Sequence, residues 1–309
     1  MRRSAGERRG RLIKPASVIA LSIVLLAACP VGAPPSNYFT FVVAADMRNF
    51  TGETEFTGAA KAIARAGAGE FMISPGDIDP PDAVFDVIRS SVGAAYPWYP
   101  VAGNHEAETP SDMDWLRAFN AGGGNSLPHI VNAGPAGSLE TSFSFDYENA
   151  HFVIINEYFD GATDSGGAGD MIPALLAWLE ADLTTNTLPI VFVIGHEPAF
   201  PQPDAAPPHR LRHDGDSLNA FPANRDAFWS ALAAHGAKAY ICGHTHNYST
   251  IKVDGVWQMD VGHARGMADT GASSTFIRIT VWKKGAVTYE THRQNLRTSV
   301  YEVTETGIW

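Results

Sequence analysis

At 309 residues, 45% hydrophobic and 18% charged, the chain is long enough for one large α/β domain or two small ones, and too apolar for global disorder. A formal net charge of −11 disfavours a protein that tracks long nucleic acid, because such a surface repels polyanions. With only Cys29 and Cys242, the chain has no intrachain disulfide framework.

The first segment reads as a targeting signal. Arg2, Arg3, Arg8, Arg9, Arg11 and Lys14 form a basic stretch ahead of the apolar run Val18 to Ala28, which is too short to span a bilayer comfortably. Leu26-Ala27-Ala28-Cys29 resembles a bacterial lipobox, which implies cleavage before Cys29, lipidation of its thiol, and an exported protein anchored to the cell membrane or outer membrane. The alternatives are an ordinary signal peptide that carries a cysteine, or an uncleaved anchor; the cysteine's place at the end of the apolar run favours lipidation. Arg8-Arg9 matches a twin-arginine export pattern only in part. Loss of residues 1–28 removes six of the 22 Lys/Arg and one of the 33 Asp/Glu, leaving a formal charge of −16. Residues 29–37, with Pro34 and Pro35, read as a tether, and 38–309 as the folded domain.

Within that domain, Phe39 to Ala44 predicts a buried strand, Phe56 to Ala66 a helix, Phe71 to Ser74 a strand and Asp82 to Ser91 a helix. Trp98 to Val101 leads into a loop, and Ser111 to Asn120 predicts a helix opened by a capping serine. Ser138 to Tyr147 and His151 to Asn156 predict paired antiparallel strands, followed by a helix over Met171 to Leu183 and a buried strand over Ile190 to Ile194. Ala223 to His235 is helical and Ala239 to Cys242 a strand, in which Cys242 is a small buried residue rather than a nucleophile. Tyr248 to Thr291 alternates as β-structure, with turns at Asp254-Gly255 and Lys284-Gly285. The stretches 122–137, 161–169 and 201–222 read as surface loops. The last is dense in polar residues (His209, Arg210, Arg212, His213, Asp214, Asp216) and is either a binding element or a solvated insertion.

Chemistry gathers where the strands end. Asp46, Asp77, Asn104, His196, His244 and His246 each follow a short apolar run, and their carboxylate, amide and imidazole groups are ligands for divalent transition metals. Delivery from separate strand ends is how a parallel sheet builds a site. Taken singly, Asp46 and Asp77 read equally as turn residues and His196 as an ordinary core histidine. Together, so many polar groups would be costly to bury without ions. His263 follows another predicted strand, Val256–Val261, and is either a support for the site or a loop histidine.

In order along the chain, Asp46, Gly76-Asp77, Gly103-Asn104-His105-Glu106, Gly195-His196 and Gly243-His244-Thr245-His246 resemble the motifs of the calcineurin-like metallophosphoesterases over residues 39 to about 262. Pro97–Glu106 and Gly243–Tyr248 look most like the purple-acid-phosphatase branch. The resemblance implies a four-layer α/β/β/α sandwich of two mixed sheets and a centre of two metal ions (Fe, Zn or Mn) at the strand ends. It implies that Asp77 bridges the ions, that Asn104, His196 and His244 complete one site, and that Asp46 and His246 serve the other. His105 would face the leaving oxygen as proton or hydrogen-bond donor, with Glu106 orienting it. The implied reaction is hydrolysis of a small phosphate mono- or diester by in-line attack of a metal-bound hydroxide. The rival is a catalytically weak envelope protein that keeps the metal and binds a phosphorylated ligand or partner.

Two departures bear on the second ion. The family's first block is usually Asp-x-His, whereas this chain has Asp46-Met47-Arg48, and a guanidinium cannot ligate a metal. The purple-acid branch places a tyrosine three residues after the bridging Asp, where Pro80 stands. Water, Asp79 or another residue then fills the gap, or the second site is weak or vacant. Arg48 is assigned to bind the substrate phosphate bidentately; a salt bridge to Asp46 or Asp79 is its alternative.

Overall fold

Short runs of β-branched and aromatic residues, buried on both faces, build two central sheets whose strand ends converge on one edge of the molecule. The structure, a computed structural model, describes residues 37–47, 56–120, 127–269 and 271–309. Cys29 and Arg48 lie outside the described residues. Six described strands form the first sheet: β1 (Tyr38–Val43), β2 (Phe71–Ser74), β3 (Trp98–Pro100), β11 (Thr275–Trp282), β12 (Val287–Gln294) and β13 (Tyr301–Ile308), in the order β13-β12-β11-β1-β2-β3. The second sheet contains β4 (Ile130–Ala133), β5 (Phe143–Tyr147), β6 (Ala150–Ile154), β7 (Ile190–Ile194), β8 (Ala239–Cys242), β9 (Tyr248–Val253) and β10 (Val256–Val261), in the order β4-β5-β6-β7-β8-β10-β9. Both are mixed. β1, β2 and β3 run parallel, as do β6, β7, β8 and β10, while the remaining pairings are antiparallel.

Alternation along β1 explains the layering. Phe39 and Phe41 point toward the other sheet, where Phe41 meets the ring edges of Phe152 at 5.2 Å and Phe192 at 5.6 Å, and Phe71 meets Phe145 at 5.7 Å. Edge-to-face contacts at these separations are favoured, and full burial of each such ring contributes roughly 1.5–3 kcal/mol. On the outer side of the first sheet, α1 (Thr57–Ala66), α2 (Pro81–Ser91) and α4 (Pro110–Asn120) bury Ile63, Val84, Ile88 and Leu116, and Trp98 stacks on Phe85 of α2. Outside the second sheet, α5 (Pro173–Thr185) and α6 (Pro222–Ala234) pack Leu175, Leu179, Phe228 and Leu232 against Val153, Val191, Val193 and Tyr240. The result is two mixed sheets flanked by helices, as the sequence predicts.

Several local expectations are corrected. α4 begins at Pro110, so Ser111 lies inside its first turn rather than capping it; proline is favoured there because its missing N–H has no helical partner to lose. The loop after Trp98–Val101 contains a short helix, α3 (Asn104–Glu108). Residues 138–142 are turn rather than strand, and β5 starts at Phe143. The predicted loop 122–137 contains β4, and β13 extends the first sheet past the alternation read from the sequence. No helix among the described residues is long and apolar enough to cross a membrane.

Candidate metal centre

Five of the six predicted ligands leave the strands at one edge. Asp46 follows β1, Asp77 follows β2, His196 follows β7, and His244 and His246 follow β8, while Asn104 opens α3 just past β3. Backbone hydrogen bonds lace these exits: Asp46 N–H donates to the Gly76 carbonyl at 3.1 Å, Met47 N–H to Asp77 at 2.7 Å, and Gly243 N–H to His196 at 2.9 Å. Asp46, Asp77, His244 and His246 all have positive φ (51°, 53°, 71° and 59°). Non-glycine residues rarely adopt that region, and such strain clusters at functional sites. Gly76, with φ 78°, sits against the His196 ring, which a Cβ at this position would strike.

The first half-site gathers Asp77, Asn104, His196 and His244. The Nδ1–H of His196 donates to the Pro75 carbonyl at 2.7 Å, leaving the Nε2 lone pair 3.5 Å from Asp77 Oδ1. His244 Nε2–H donates to the Asp216 carbonyl at 3.3 Å, so the Nδ1 lone pair faces His196 Nε2 at 3.2 Å. Two imidazole lone pairs that close repel unless a cation lies between them. Asn104 donates from Nδ2 to Glu108 at 3.5 Å, while its buried Oδ1 is unpartnered. Tying one imidazole nitrogen to a carbonyl so that the other presents its lone pair is how metal-ligating histidines are oriented.

The second half-site gathers Asp46, His246 and Asp77, whose donor atoms lie within 4.8 Å of one another. Asp46 Oδ2 accepts the His244 N–H at 3.0 Å, while its buried Oδ1 is unpartnered and stands 3.4 Å from His246 Nε2. His246 Nδ1 is bonded to the Asp269 carboxylate. Burial holds the three histidines neutral, His196 down to about 3 and His244 and His246 well below the ordinary imidazole range. Burial, reinforced by Asp77 and Asp260, pushes Asp46 well above the carboxylate range. Neutral imidazoles and the unpartnered Asn104 oxygen fit a divalent cation at the first position, and the buried Asp46 carboxyl beside His246 calls for positive charge at the second.

Glu106 does not orient His105. It is fully buried and accepts the backbone N–H groups of Asp77 (2.9 Å), Ile78 (2.9 Å) and Gly103 (2.7 Å), pinning the β2 exit to the β3 exit. His105, a quarter exposed, has Nε2 3.5 Å from Asp77 Oδ2 and Nδ1 3.7 Å from Glu108. Asp79 interacts with Asp112, at the start of α4, and the groups of donor atoms that come together around Asp46 and His244 do not include it. His263 is buried, 6.0 Å from His246 between ring centres, and reaches the Ala272 carbonyl at 3.3 Å.

Other contributors lie outside the motif blocks. Glu157 accepts the N–H groups of His196 (2.9 Å) and Glu197 (2.8 Å), fixing the β7 exit. Arg265, three residues after Gly262, enters the second half-site through Asp46, His246 and Asp269. The 201–217 loop is largely exposed but is tied to the centre and to the core: His213 lies 4.3 Å from the His244 ring, and Arg293 holds Asp204 bidentately at 3.0 and 2.8 Å. Its sequence signal is the density of polar residues in a long loop (His209, Arg210, Arg212, His213, Asp214 and Asp216).

A family model described as calcineurin-like phosphoesterase matches residues 32–248. No curated protein matches the chain. Among solved structures, GAP50, the anchor in the inner membrane complex of Plasmodium, is 14% identical with a TM-score of 0.56, covering 87% of this chain and 88% of its own. Phosphopantetheinyl hydrolase from Mycobacterium tuberculosis is 18% identical with a TM-score of 0.41, covering 73% and 90%. Vacuolar protein sorting 29 from Cryptosporidium parvum is 11% identical with a TM-score of 0.43, covering 88% and 98%.

Proposed function

Because the chain belongs to the calcineurin-like phosphoesterase family, whose model spans residues 32–248, we propose that it hydrolyses small phosphate mono- or diesters with metal ions held at the strand ends. The observation that carries this reading is the pair of facing imidazole lone pairs, His196 Nε2 and His244 Nδ1 at 3.2 Å, beside the unpartnered oxygens of Asn104 and Asp46. Asp77, Asn104, His196 and His244 would hold one ion, and Asp46, Asp77 and His246 face the second position. Bound divalent ions would polarise the phosphate and make a nucleophilic oxygen available at neutral pH. His105, partly exposed and steered by Asp77 and Glu108, is placed to give a proton or hydrogen bond to the leaving oxygen. The acidic surface favours small substrates over nucleic-acid polymers. The blocks Pro97–Glu106 and Gly243–Tyr248 support a place near the purple-acid-phosphatase branch. Cys29, at the end of its apolar run, supports export and lipid anchoring in the cell envelope; palmitate labelling of wild type but not Cys29→Ser would bear this out, and equal labelling would exclude it.

The experiment is metal analysis combined with hydrolysis of p-nitrophenyl phosphate and its bis-ester, on wild type and Asp77→Asn. Hydrolysis dependent on added Mn, Zn or Fe is expected, with Asp77→Asn lower by at least about 100-fold. The second reading is a metal-containing protein that binds a phosphorylated ligand with little turnover, favoured by the guanidinium that Arg265 puts beside His246. Phosphate binding without hydrolysis under any divalent metal would establish it over the enzyme.

A further inference from the structure

The two half-sites differ in what the chain itself brings to them. The first offers four donors, from Asp77, Asn104, His196 and His244. The second offers Asp46 and His246 besides the shared Asp77, and Arg265 reaches into it from the segment after β10. Arg265 is 3% exposed. Its Nε lies 3.3 Å from the Asp46 carbonyl oxygen, its Nη1 3.1 Å from Asp269 Oδ2, and its Nη2 3.5 Å from His246 Nε2. That last atom is the one whose lone pair faces the unpartnered Asp46 Oδ1. Asp269 binds both His246 Nδ1 and Arg265, so one carboxylate fixes the imidazole and the guanidinium in a single arrangement.

We propose that Arg265 is the resident cation of the Asp46–His246 half-site, so that the centre takes one divalent ion at Asp77, Asn104, His196 and His244 and a guanidinium beside it. The proposal rests on the metal-dependent reading above. An ion at the usual distance of about 2.0–2.1 Å from His246 Nε2 would lie within a few ångströms of Nη2, and the two charges would repel in a buried setting. A guanidinium keeps its charge at every working pH, so the opposition is permanent. It also answers the ligand deficit: with Arg48 in the usual His position, the second ion lacks a donor, and a buried arginine meets the same need for positive charge without coordination. Its charge stands beside the first half-site, so a phosphate held there would still meet two positive charges.

The test is ion stoichiometry and affinity, by calorimetry and elemental analysis of chelator-stripped protein titrated with Mn2+ and with Zn2+. Wild type is expected to take one tightly bound ion per chain, and Arg265→Lys likewise. Arg265→Gln is expected to bind a second ion at least ten times more tightly than wild type does. Two ions per wild-type chain with affinities within tenfold of each other would overturn the proposal, as would an Arg265→Gln variant whose second-ion affinity is unchanged. The wild-type measurement decides even where the glutamine variant fails to fold. No ion at all in wild type would overturn this proposal and the metal-dependent reading together, whereas two ions would overturn this proposal alone.

Discussion

Glu106→Ala removes one carboxylate and strands three backbone donors, those of Asp77, Ile78 and Gly103, in a fully buried place. Each unsatisfied buried N–H costs about 1–3 kcal/mol. Water entering the vacated space recovers part of this, which leaves a loss of roughly 3–5 kcal/mol. For a domain of this size, with an unfolding entropy of about 2 cal/mol/K per residue, that lowers Tm by roughly 5–9 °C. Glu106→Gln keeps the shape and one oxygen. That oxygen can serve Asp77 and Gly103 while the amide faces Ile78, so a smaller drop, about 1–2 kcal/mol, is expected. Because Glu106 ties the turn carrying Asp77 to the turn carrying Asn104, the alanine variant should also bind its ion more weakly, by about 10–100-fold. Differential scanning fluorimetry of chelator-treated protein reads the first effect and metal titration the second. A Tm within 1 °C of wild type for Glu106→Ala would refute the account of the buried carboxylate.

Two further outcomes follow from buried charges away from the centre. For His151, burial opposes the charge but the carboxylates of Asp182 (2.8 Å) and Asp146 (2.7 Å) outweigh it and raise its pKa; burial likewise works against Asp182, whose pKa the His151 bond nonetheless lowers. The raised histidine contributes fully below about pH 6.5 and loses its contribution as pH climbs through the folded value, while the lowered Asp182 keeps its contribution above about pH 4. The Tm of chelator-treated wild type should therefore fall more between pH 6.5 and 9 than that of His151→Gln; parallel curves would contradict the pairing. Arg293→Met leaves Asp204 buried and uncompensated, at a cost of about 3–5 kcal/mol, and should open residues 201–217 to proteolysis. Partial recovery is expected in Arg293→Met/Asp204→Leu, partial because Asp204 also accepts the N–H groups of Ala206 and Tyr248. Unchanged cleavage in Arg293→Met would show that this pair does not hold the loop.

The strands that carry the ligands were legible because they are buried on both sides and so read as continuous apolar runs, such as Ile190–Ile194 and Ala239–Cys242. The ligands were legible because each stands two to four residues past the end of a strand. β13 escaped because much of it faces solvent and it has no apolar run, and β4 because three of its four residues are exposed. The resemblance pairs Glu106 with its neighbour His105, yet its three donors lie up to 29 residues away across two turns. Arg265 could not be found by spacing at all. Its role is created by β10 lying next to β8, so that the residue after one strand meets the histidine after the other.

The donors of the centre run from Asp46 to His246, and the hydrogen bond from His244 to Asp46 joins residues 198 positions apart. The strand that carries Asp46 has on its other side β11, which begins only at Thr275. No fragment of the chain that stops short of β8 contains the assembled donors, and neither sheet alone contains them. Ion binding can therefore ratify the fold but cannot template it. A metal-sensitive signal during refolding would report the moment the two sheets have closed on one another, after the slow long-range pairings are complete.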